Sequence, residues 1–145
     1  FLGRLNKDKG VLDLANAVKN IYLKNLRYQI ELLIIGPDEE NIKQKVELIC
    51  KDYIKNIHFM DFTDEPEKFM AAADIFCLPS YREGLNVTLL EAAACELLCV
   101  STDIYGTHDA LIDELSGLKY KPKDKVKFLR LHYAIITNIS KVCFL

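Results

Sequence analysis

Short apolar runs alternate with longer stretches of helical periodicity along this chain, and this alternation restricts its fold more than any other feature. The run 30–35 ends at Gly36-Pro37 and is typical of a strand buried on both faces of a sheet. Apolar residues in 11–22 return at steps of three and four, which predicts a helix with one buried face. Strands and helices in alternation are typical of βαβ units. The sequence therefore predicts an α/β fold with a doubly wound parallel sheet of about five or six strands.

The remaining elements follow the same two patterns. Further strands are predicted at 57–60, 74–78, 99–101 and 117–120, and further helices at 38–53, 66–72, 87–97 and 108–114. Asp64 is predicted to cap the helix that begins at Pro66. From Lys121 onward the pattern changes to a basic stretch and then to apolar residues, so 123–145 is treated as a tail of uncertain structure.

Length and charge exclude several classes of protein. A chain of 145 residues is long enough for one domain with its own core. The net charge of −2 provides no basic field that would attract nucleic acid or an acidic membrane. No apolar run approaches the roughly 20 residues that span a bilayer, and no stretch has the pattern of a signal peptide. Because residues 1–4 resemble the end of a buried strand, we expect the chain to be part of a longer protein.

The five cysteines, at positions 50, 77, 95, 99 and 143, favour a reducing compartment. Most lie inside apolar runs, where a cysteine behaves as a small buried hydrophobic residue. Cys95 and Cys99 lack the second pair of ligands that a zinc site needs, so no metal site is predicted.

The segment from Pro79 to Glu91 carries most of the functional information. It leads from a predicted strand through a Glu-Gly turn into a predicted helix, and seven residues separate Glu83 from Glu91. The first turn of a helix presents unpaired N–H groups and the positive end of the helix dipole, which suit a phosphate. A carboxylate beside such a turn can accept hydrogen bonds from sugar hydroxyls. The segment therefore predicts a place where a phosphate and a polyol are held together.

Both carboxylates also have a simpler interpretation, in which Glu83 is an exposed loop residue and Glu91 a solvated helix position. Against it, Glu91 lies in an otherwise apolar stretch, 87–94, interrupted only by Thr88. A carboxylate in such surroundings needs a partner or a cleft.

Ligands of doubly wound sheets bind at the carboxyl ends of the strands. The loops predicted at that edge hold Arg4, Lys9, Gly36, Asp61, Glu83, Gly84 and residues 105–109. Arg4 and Lys9 precede the first predicted helix, where an arginine fork and a lysine point charge could clamp a diphosphate. The alternative is that both are solvated loop cations.

Other kinds of site fit the sequence less well. No G-x-G-x-x-G or Walker A loop follows the first predicted strand, which argues against a Rossmann oxidoreductase. A glycoside hydrolase with two carboxylates would not need the cations near Arg4. His58 is interpreted as structural and His108-Asp109 as part of a polar loop, while His132 in the tail has no partner that we can name.

Six short motifs follow one another in order along the chain. They are FLGRL-x3-KG at 1–10, LLIIGP at 32–37, ADIFCLPS at 73–80, EGLNVTLLEA at 83–92, TDIYG at 102–106 and SGL at 116–118. Together they resemble the carboxyl-terminal domain of the family 4 (group 1) glycosyltransferases of the GT-B fold. The resemblance covers residues 1–122 and implies a Rossmann-like half of a GT-B protein that binds the nucleotide-sugar donor. The acceptor-binding half would precede residue 1, so we expect the chain alone to transfer little.

The resemblance also implies a role for each matching residue. Arg4 and Lys9, beside Gly3, would hold the donor diphosphate and neutralise the leaving group. Glu83 would contact hydroxyls of the transferred sugar, and Glu91 would accept from the ribose. Backbone N–H groups would bind sugar or phosphate at Gly84, Leu85, Asn86 and Val87. The strand segment from His58 to Met60 would lie near the base and contact it largely through the backbone.

The implied activity is retaining transfer of a hexose from a UDP- or GDP-sugar to a polysaccharide or lipid-linked acceptor. It would need no metal or other cofactor, because cations and a helix dipole stabilise the departing diphosphate. The resemblance implies a bacterial, cytoplasmic enzyme that associates with the inner face of the membrane.

Several positions depart from the family pattern. Glu96 and Leu98 stand where a glycine and a proline are usual, and Asp61 replaces a common glycine. Tyr105 replaces a small residue, and His108-Asp109 a usual Pro-Glu. The rival interpretation is therefore a degenerate, non-catalytic nucleotide-binding or structural module of the same fold. Glu96 in a position that favours glycine would alter the turn after the predicted helix.

Overall fold

The computed structural model describes residues 1–24 and 30–124. In chain order, these residues form a short 3₁₀ helix (Lys7–Lys9), α1 (Val11–Lys24), β1 (Leu32–Ile35), α2 (Ile42–Ile49), a second 3₁₀ helix (Lys51–Asn56), β2 (Ile57–Met60), α3 (Pro66–Ala71), β3 (Ile75–Leu78), α4 (Val87–Ala94), β4 (Leu98–Thr102), α5 (Tyr105–His108) and β5 (Leu118–Tyr120). The predicted α/β class is confirmed. The predicted tail from 125 onward, with His132 and Cys143, lies outside the described residues.

Every strand pair in the described part of the chain is parallel. β1 pairs with β2, and β4 lies between β3 and β5. Residues 1–3 run beside β1, where the Ile35 N–H donates to the Phe1 carbonyl at 3.0 Å and the Gly3 N–H donates to the Ile35 carbonyl at 2.8 Å. Hydrogen bonding thus divides the strands into two ladders, and an apolar groove of about 640 Å³ lies between β1 and β3.

Helices cover both faces of the strands because side chains alternate along each strand. Cys77 of β3 and Val100 of β4 belong to a core that they share with α1 and α2. Their neighbours Phe76, Leu78 and Cys99 belong to a second core, on the side of α3 and α4. The doubly wound arrangement follows from this alternation. It leaves the carboxyl ends of the strands and the loops that follow them at one edge.

Four of the cysteines lie in the described residues, and all four are free thiols. Cys50, Cys77 and Cys99 are buried, whereas Cys95 is half-buried. Burial raises the pKa of Cys77 to about 11 and that of Cys99 to about 12, so both thiols stay protonated at neutral pH. Within 1–24 and 30–124, no helix is long and apolar enough to cross a bilayer.

Two predictions about helix ends were wrong. Asp64 does not cap α3, because Glu65 holds the N-cap position and makes no side-chain capping bond there. The helix predicted at 108–114 is a single turn at 105–108. The Ser116 hydroxyl accepts from the Ile112 N–H at 2.8 Å, and such local bonds compete with helix formation.

The helix predicted at 38–53 begins only at Ile42, because Asp38 caps it from outside. The Asp38 carboxylate accepts from the backbone N–H groups of Ile42 and Lys43 at 2.8 and 2.9 Å. Desolvation opposes ionisation of Asp38, but the hydrogen bonds from Lys43, Ile42 and Glu40 outweigh it and lower the pKa of the carboxyl group. The chain then leaves α2 at Cys50 and enters the second 3₁₀ helix.

The turn after α4 keeps a left-handed residue although it lacks glycine. Glu96 has φ +61°, and the Leu97 N–H donates to the Ala92 carbonyl at 3.2 Å while the Glu96 N–H donates to the Ala93 carbonyl at 3.0 Å. This is the bonding of a Schellman motif, which usually has glycine at this position. The prediction that Glu96 alters the turn was wrong. The backbone is retained, and Glu96 bears the steric cost of a left-handed conformation.

We expect Asp38→Asn to lower the free energy of unfolding by about 1 kcal/mol at pH 7, because both carboxylate oxygens accept backbone N–H groups at the start of α2, whereas an amide has one acceptor oxygen and no charge. A carboxyl group whose folded-state pKa is lowered stabilises the fold above its unfolded pKa of about 3.9, and that contribution is lost as the pH falls through the folded-state pKa. The difference between wild type and variant should therefore shrink below about pH 3.9 in urea titrations. Glu47→Gln, on the same helix, controls for the loss of one charge. A difference that persists at the lowest pH would contradict the capping role.

Replacing Glu96 by glycine should raise the free energy of unfolding by roughly 0.5–1 kcal/mol, because relief of the left-handed strain exceeds the added entropy of the unfolded chain. Glu96→Ala removes the carboxylate but keeps the strain, so it should give no such gain. The two variants can be compared by thermal unfolding followed by circular dichroism. Equal stability of the two would show that the carboxylate, and not the backbone, matters at this position.

Candidate active site

The loop between β3 and α4, residues 79–86, is attached to the first residues of the chain. The Tyr81 N–H donates to the Asp8 carbonyl at 2.7 Å, and the Tyr81 hydroxyl donates to the Asp13 carboxylate of α1. Burial and the neighbouring Asp13 raise the pKa of Tyr81 to about 12, so this hydroxyl remains a donor at neutral pH. On its other side, the loop accepts a hydrogen bond from Thr102 Oγ1 of β4 at the Ser80 carbonyl. The loop is therefore fixed between the first loop and β4.

Lys9 and Glu83, which are 74 residues apart in sequence, meet at this junction. The Lys9 Nζ lies 2.8 Å from both carboxylate oxygens of Glu83. Only 17% of the Lys9 side chain and 7% of the Glu83 side chain are exposed. The fold thus brings two of the predicted site residues into direct contact. The interpretation of Glu83 as an exposed loop residue was wrong.

A cleft of about 200 Å³ opens beside this pair. Its walls are Arg4, Asn6, Asp8, Lys9, Arg82, Glu83 and Gly84. Arg4 forms an exposed ion pair with Glu39 at 3.1 Å, and Arg82 forms one with Asp8 at 3.4 Å. Exposed pairs of this kind are worth little energy, so both guanidinium groups can turn toward a ligand. Three cations, the nearly buried carboxylate of Glu83 and the exposed carboxylate of Asp8 therefore surround the cleft.

The start of α4 lies directly after the Glu83-Gly84 turn. Asn86 is the N-cap, and its side-chain oxygen accepts from the Leu89 N–H at 2.8 Å. Asn86 is buried, whereas Leu85 and Val87 on either side are 79% and 55% exposed. The cap fixes the direction of the helix, whose positive end lies beside the cleft. This capping role of the Asn86 side chain was missed from the sequence, although an asparagine before an apolar helix is its usual signal.

Glu91 lies one turn further along α4 and is solvent-exposed. The inference that its apolar neighbours force it into a cleft was wrong, because those neighbours are divided between two faces of the helix. Leu89 and Ala92 face the core, while Leu90 is 42% exposed. Glu91 does not line the cleft with Lys9 and Glu83.

The predicted base-contacting segment lies on β2, apart from the cleft. His58 Nε2 is 2.7 Å from Glu31 Oε2, in an exposed pair whose hydrogen bond lowers the pKa of Glu31. Met60 ends the strand, and its carbonyl accepts from the Gly36 N–H at 2.8 Å. The structure therefore places Met60 beside Gly36, where the loop after β1 begins. His58 lies outside the cleft.

The short helix α5, which follows β4, packs closely on the Glu83-Gly84 turn. A Cβ atom on Gly106 would lie only 1.9 Å from the Gly84 carbonyl oxygen. The neighbouring Tyr105 is 96% exposed. His108 Nδ1 lies 2.8 Å from Asp103 Oδ1, and this hydrogen bond, together with Lys119, lowers the pKa of Asp103. Gly106 thus allows the backbone of α5 to touch the Glu83-Gly84 turn at one side of the cleft.

Gly3 and Gly36 make a similar close contact on the other side. A Cβ atom on Gly36 would lie 2.0 Å from the Gly3 carbonyl oxygen, so the first loop approaches the loop after β1 as backbone against backbone. This contact sets the position of Arg4, the residue after Gly3. Asp61 begins the neighbouring loop after β2 and is exposed.

Sequence reasoning missed three residues of the cleft, Asn6, Asp8 and Arg82. The side chain of Arg82 is 85% exposed. The signal that could have identified Arg82 is its position directly before Glu83 in the sequence. Asn6 donates to Glu39 at 2.8 Å and contributes to the lower pKa of that carboxyl group. In the described ranges, no group of three or more His, Cys, Asp or Glu side chains has the arrangement of a metal site.

Comparison with known proteins gives the family. A model of the family described as "Glycosyl transferases group 1" matches residues 1–138. This chain is a group 1 glycosyltransferase sequence. The predicted membership is confirmed.

Named relatives of this group 1 glycosyltransferase come from several bacteria. The N,N'-diacetylbacillosaminyl-diphospho-undecaprenol alpha-1,3-N-acetylgalactosaminyltransferase of Campylobacter jejuni is 35% identical over 97% of this chain and 41% of its own length. The capsular polysaccharide biosynthesis glycosyltransferase CapM of Staphylococcus aureus is 29% identical over 81% of this chain and 30% of its own. The chain therefore spans about a third of the curated relatives that it matches.

Solved structures confirm the fold. Anabaena Alr3699/HepE in complex with UDP superposes with a TM-score of 0.86 at 18% identity, covering 97% of this chain and 39% of that one. The carboxyl-terminal domain of the group 1 protein LpcC from Francisella tularensis superposes with a TM-score of 0.83 at 22% identity, covering 97% of this chain and 74% of that one. The group 1 glycosyltransferase chain thus has the fold of a carboxyl-terminal GT-B domain, as predicted.

We expect Gly106→Ala to displace the Glu83-Gly84 turn, because the added Cβ would overlap a backbone oxygen that cannot rotate away. The variant should lose about 1–3 kcal/mol of stability, the usual cost of overpacking. Backbone amide shifts in NMR spectra should change at Glu83 and Gly84 more than at β1. Gly84→Ala is the matched control, since nothing lies within 4 Å of a Cβ atom at that position. Shifts confined to residues 104–108 would contradict the contact.

Proposed function

We propose that this chain is the donor-binding half of a retaining hexosyltransferase, which transfers a hexose from a UDP- or GDP-sugar to a polysaccharide or lipid-linked acceptor. The observation that carries the proposal is the cleft in which Lys9 and Glu83 meet, with Arg4 and Arg82 at its rim. A nucleotide sugar joins a diphosphate to a polyol. It therefore matches a site where cations and a buried carboxylate lie side by side.

On the phosphate side, Arg4 and Lys9 hold the diphosphate, and Arg82 adds a third positive charge. An arginine can bind a phosphate with two parallel hydrogen bonds, whereas a lysine acts as a point charge. The first-turn N–H groups of α4 and the positive end of its dipole lie beside the same cleft. Together these groups stabilise the charge that develops on the departing diphosphate, so the reaction proceeds without a metal or another cofactor.

On the sugar side, Glu83 accepts hydrogen bonds from hydroxyls of the transferred hexose. Its catalytic role, with Arg4 and Lys9, is to hold the reacting carbon of the sugar and the departing diphosphate in fixed positions relative to each other. The N–H groups of Gly84, Leu85, Asn86 and Val87 bind sugar or phosphate, and Gly3 contributes from the first loop, where it precedes Arg4. These residues follow one another into α4, so one rigid element aligns both parts of the donor.

The nucleoside lies along the exposed face of α4 and the end of β2. Glu91 is solvent-exposed there and accepts from the ribose hydroxyls. The base lies near Met60 and contacts the backbone of β2, because the side chain of His58 is already paired with Glu31. The complex of the Anabaena neighbour with UDP favours a uridine nucleotide as the donor.

The acceptor class is proposed from the relatives. One is named for capsular polysaccharide biosynthesis, and another for transfer to an undecaprenol diphosphate-linked sugar. Acceptors of this kind are attached to membranes, so we propose a cytoplasmic protein that associates with the inner face of the membrane. Because the chain spans about a third of these relatives, we assign acceptor binding and turnover to the longer protein.

The rival interpretation, a degenerate module without activity, has less support. Glu96 keeps the left-handed turn, and Leu98 starts β4 in register with Ile75. Asp61 is exposed and does not enter the cleft. The departures from the family pattern at these positions therefore leave the arrangement of Arg4, Lys9 and Glu83 unchanged.

The proposal predicts that the chain binds UDP or GDP and their hexose conjugates in isothermal titration calorimetry. Arg4→Ala and Glu91→Ala should each weaken binding by about tenfold, which corresponds to roughly 1.4 kcal/mol. Lys68→Ala, an exposed cation of α3 paired with Glu65, is the matched control and should change affinity less than about twofold. We expect no robust transfer by the chain alone. Unchanged binding in both Arg4→Ala and Glu91→Ala would show that the donor lies elsewhere.

A further inference from the structure

The two side chains assigned to different parts of the donor are bonded to each other in the structure. Lys9 Nζ lies at 2.8 Å from both carboxylate oxygens of Glu83, in the most buried ion pair at the cleft. The Glu83 carboxylate therefore takes the place of the anion that a diphosphate would offer Lys9. The Lys9 ammonium takes the place of the hydroxyl donors that a sugar would offer Glu83. A diphosphate must take Lys9 from Glu83, and a sugar must provide Glu83 with new donors.

A ligand that gives a new partner to Lys9 but none to Glu83 is expected to bind at a high cost in free energy. Removing one partner of a buried ion pair leaves an uncompensated charge in a poorly solvated place, which is strongly unfavourable. A nucleoside diphosphate without a sugar would capture Lys9 and leave the Glu83 carboxylate without its cation and beside new negative charge. A nucleotide sugar would also capture Lys9, but its hydroxyls could donate to Glu83.

The other two ion pairs at the cleft do not impose this cost. The pair of Arg4 with Glu39 has side chains 64% and 38% exposed, and the pair of Arg82 with Asp8 has side chains 85% and 54% exposed. Water can solvate either carboxylate when its arginine turns toward a phosphate. The difference in burial therefore singles out Lys9–Glu83 as the pair whose opening depends on the ligand.

We propose that the Lys9–Glu83 ion pair makes the cleft discriminate between a nucleotide sugar and the nucleoside diphosphate that remains after transfer. This inference rests on the proposed function and adds a determinant of specificity to it. The pair opens fully only for a ligand that carries both a diphosphate and a polyol. Once the sugar has left, Glu83 competes with the diphosphate for Lys9, and re-formation of the pair promotes release of the product.

The test compares UDP and GDP, their hexose conjugates and inorganic pyrophosphate in calorimetric titrations of the 145-residue chain. In Glu83→Gln, the amide still accepts a hydrogen bond from Lys9 but no longer holds it by charge. We expect this variant to bind the nucleoside diphosphate and pyrophosphate about fivefold to tenfold more tightly than wild type. Binding of the nucleotide sugar should stay equal or weaken. The preference for nucleotide sugar over nucleoside diphosphate should thus fall by about tenfold.

Two further variants separate this effect from general loss of charge or of structure. Glu39→Gln removes the carboxylate next to Arg4, and because that pair is exposed, the preference should change less than about twofold. Glu83→Asp keeps the charge and should retain most of the preference. Thermal unfolding of each variant shows whether it is folded before it is titrated.

The outcomes distinguish the inference from the function on which it rests. If nucleotides bind but Glu83→Gln weakens UDP, GDP and pyrophosphate as much as the nucleotide sugars, the discriminating role of the pair is wrong and the donor site stands. The same conclusion follows if Glu39→Gln changes the preference as much as Glu83→Gln. If no nucleotide binds to wild type or to any variant, both the inference and the proposed function are overturned.

Discussion

The candidate site depends on the attachment of the loop 79–86 to the first loop of the chain. Tyr81 makes this attachment twice, through its N–H to the Asp8 carbonyl and through its hydroxyl to Asp13. Without it, Lys9 and Glu83 would belong to two independent loops, and each would be solvated. With it, they form a nearly buried ion pair beside the start of α4. Close backbone packing at Gly106 then supports the Glu83-Gly84 turn from behind.

Much of the fold follows from local sequence patterns. The sequence predicts the parallel α/β arrangement from the apolar runs of β1 to β5 and from the helical periodicity of α1. Strands that are buried on both faces and alternate with helices fit few other folds. Element ends were less predictable. Asp38 looked like a helix residue although it caps α2 from outside, and Glu96 adopts a left-handed conformation that its side chain disfavours. At Asp38 a side-chain cap at the start of α2 decided the conformation, and at Glu96 the hydrogen bonds that close the end of α4 decided it.

The sequence pointed to four residues of the cleft, Arg4, Lys9, Glu83 and Gly84, and missed Asn6, Asp8 and Arg82. The rule that ligands bind at the carboxyl ends of parallel strands brought Arg4, Lys9 and Glu83 together correctly. Nothing in the sequence indicated that Lys9 and Glu83 pair directly, because that contact spans 74 residues and depends on the loop attachment. A solvated Glu91 was one of the two interpretations left open, but the apolar composition of its neighbours favoured the other one, because composition does not show that α4 buries only one face. Long-range contacts and helix orientation need the tertiary structure.

The most direct test of the proposed donor site is a crystal structure of the chain with a bound nucleotide sugar. The account predicts that Lys9 Nζ leaves Glu83 for the diphosphate, that Glu83 accepts from sugar hydroxyls, and that α4 keeps its position. A nucleotide bound elsewhere, such as the apolar groove between β1 and β3, with the Lys9–Glu83 distance still at 2.8 Å, would contradict it.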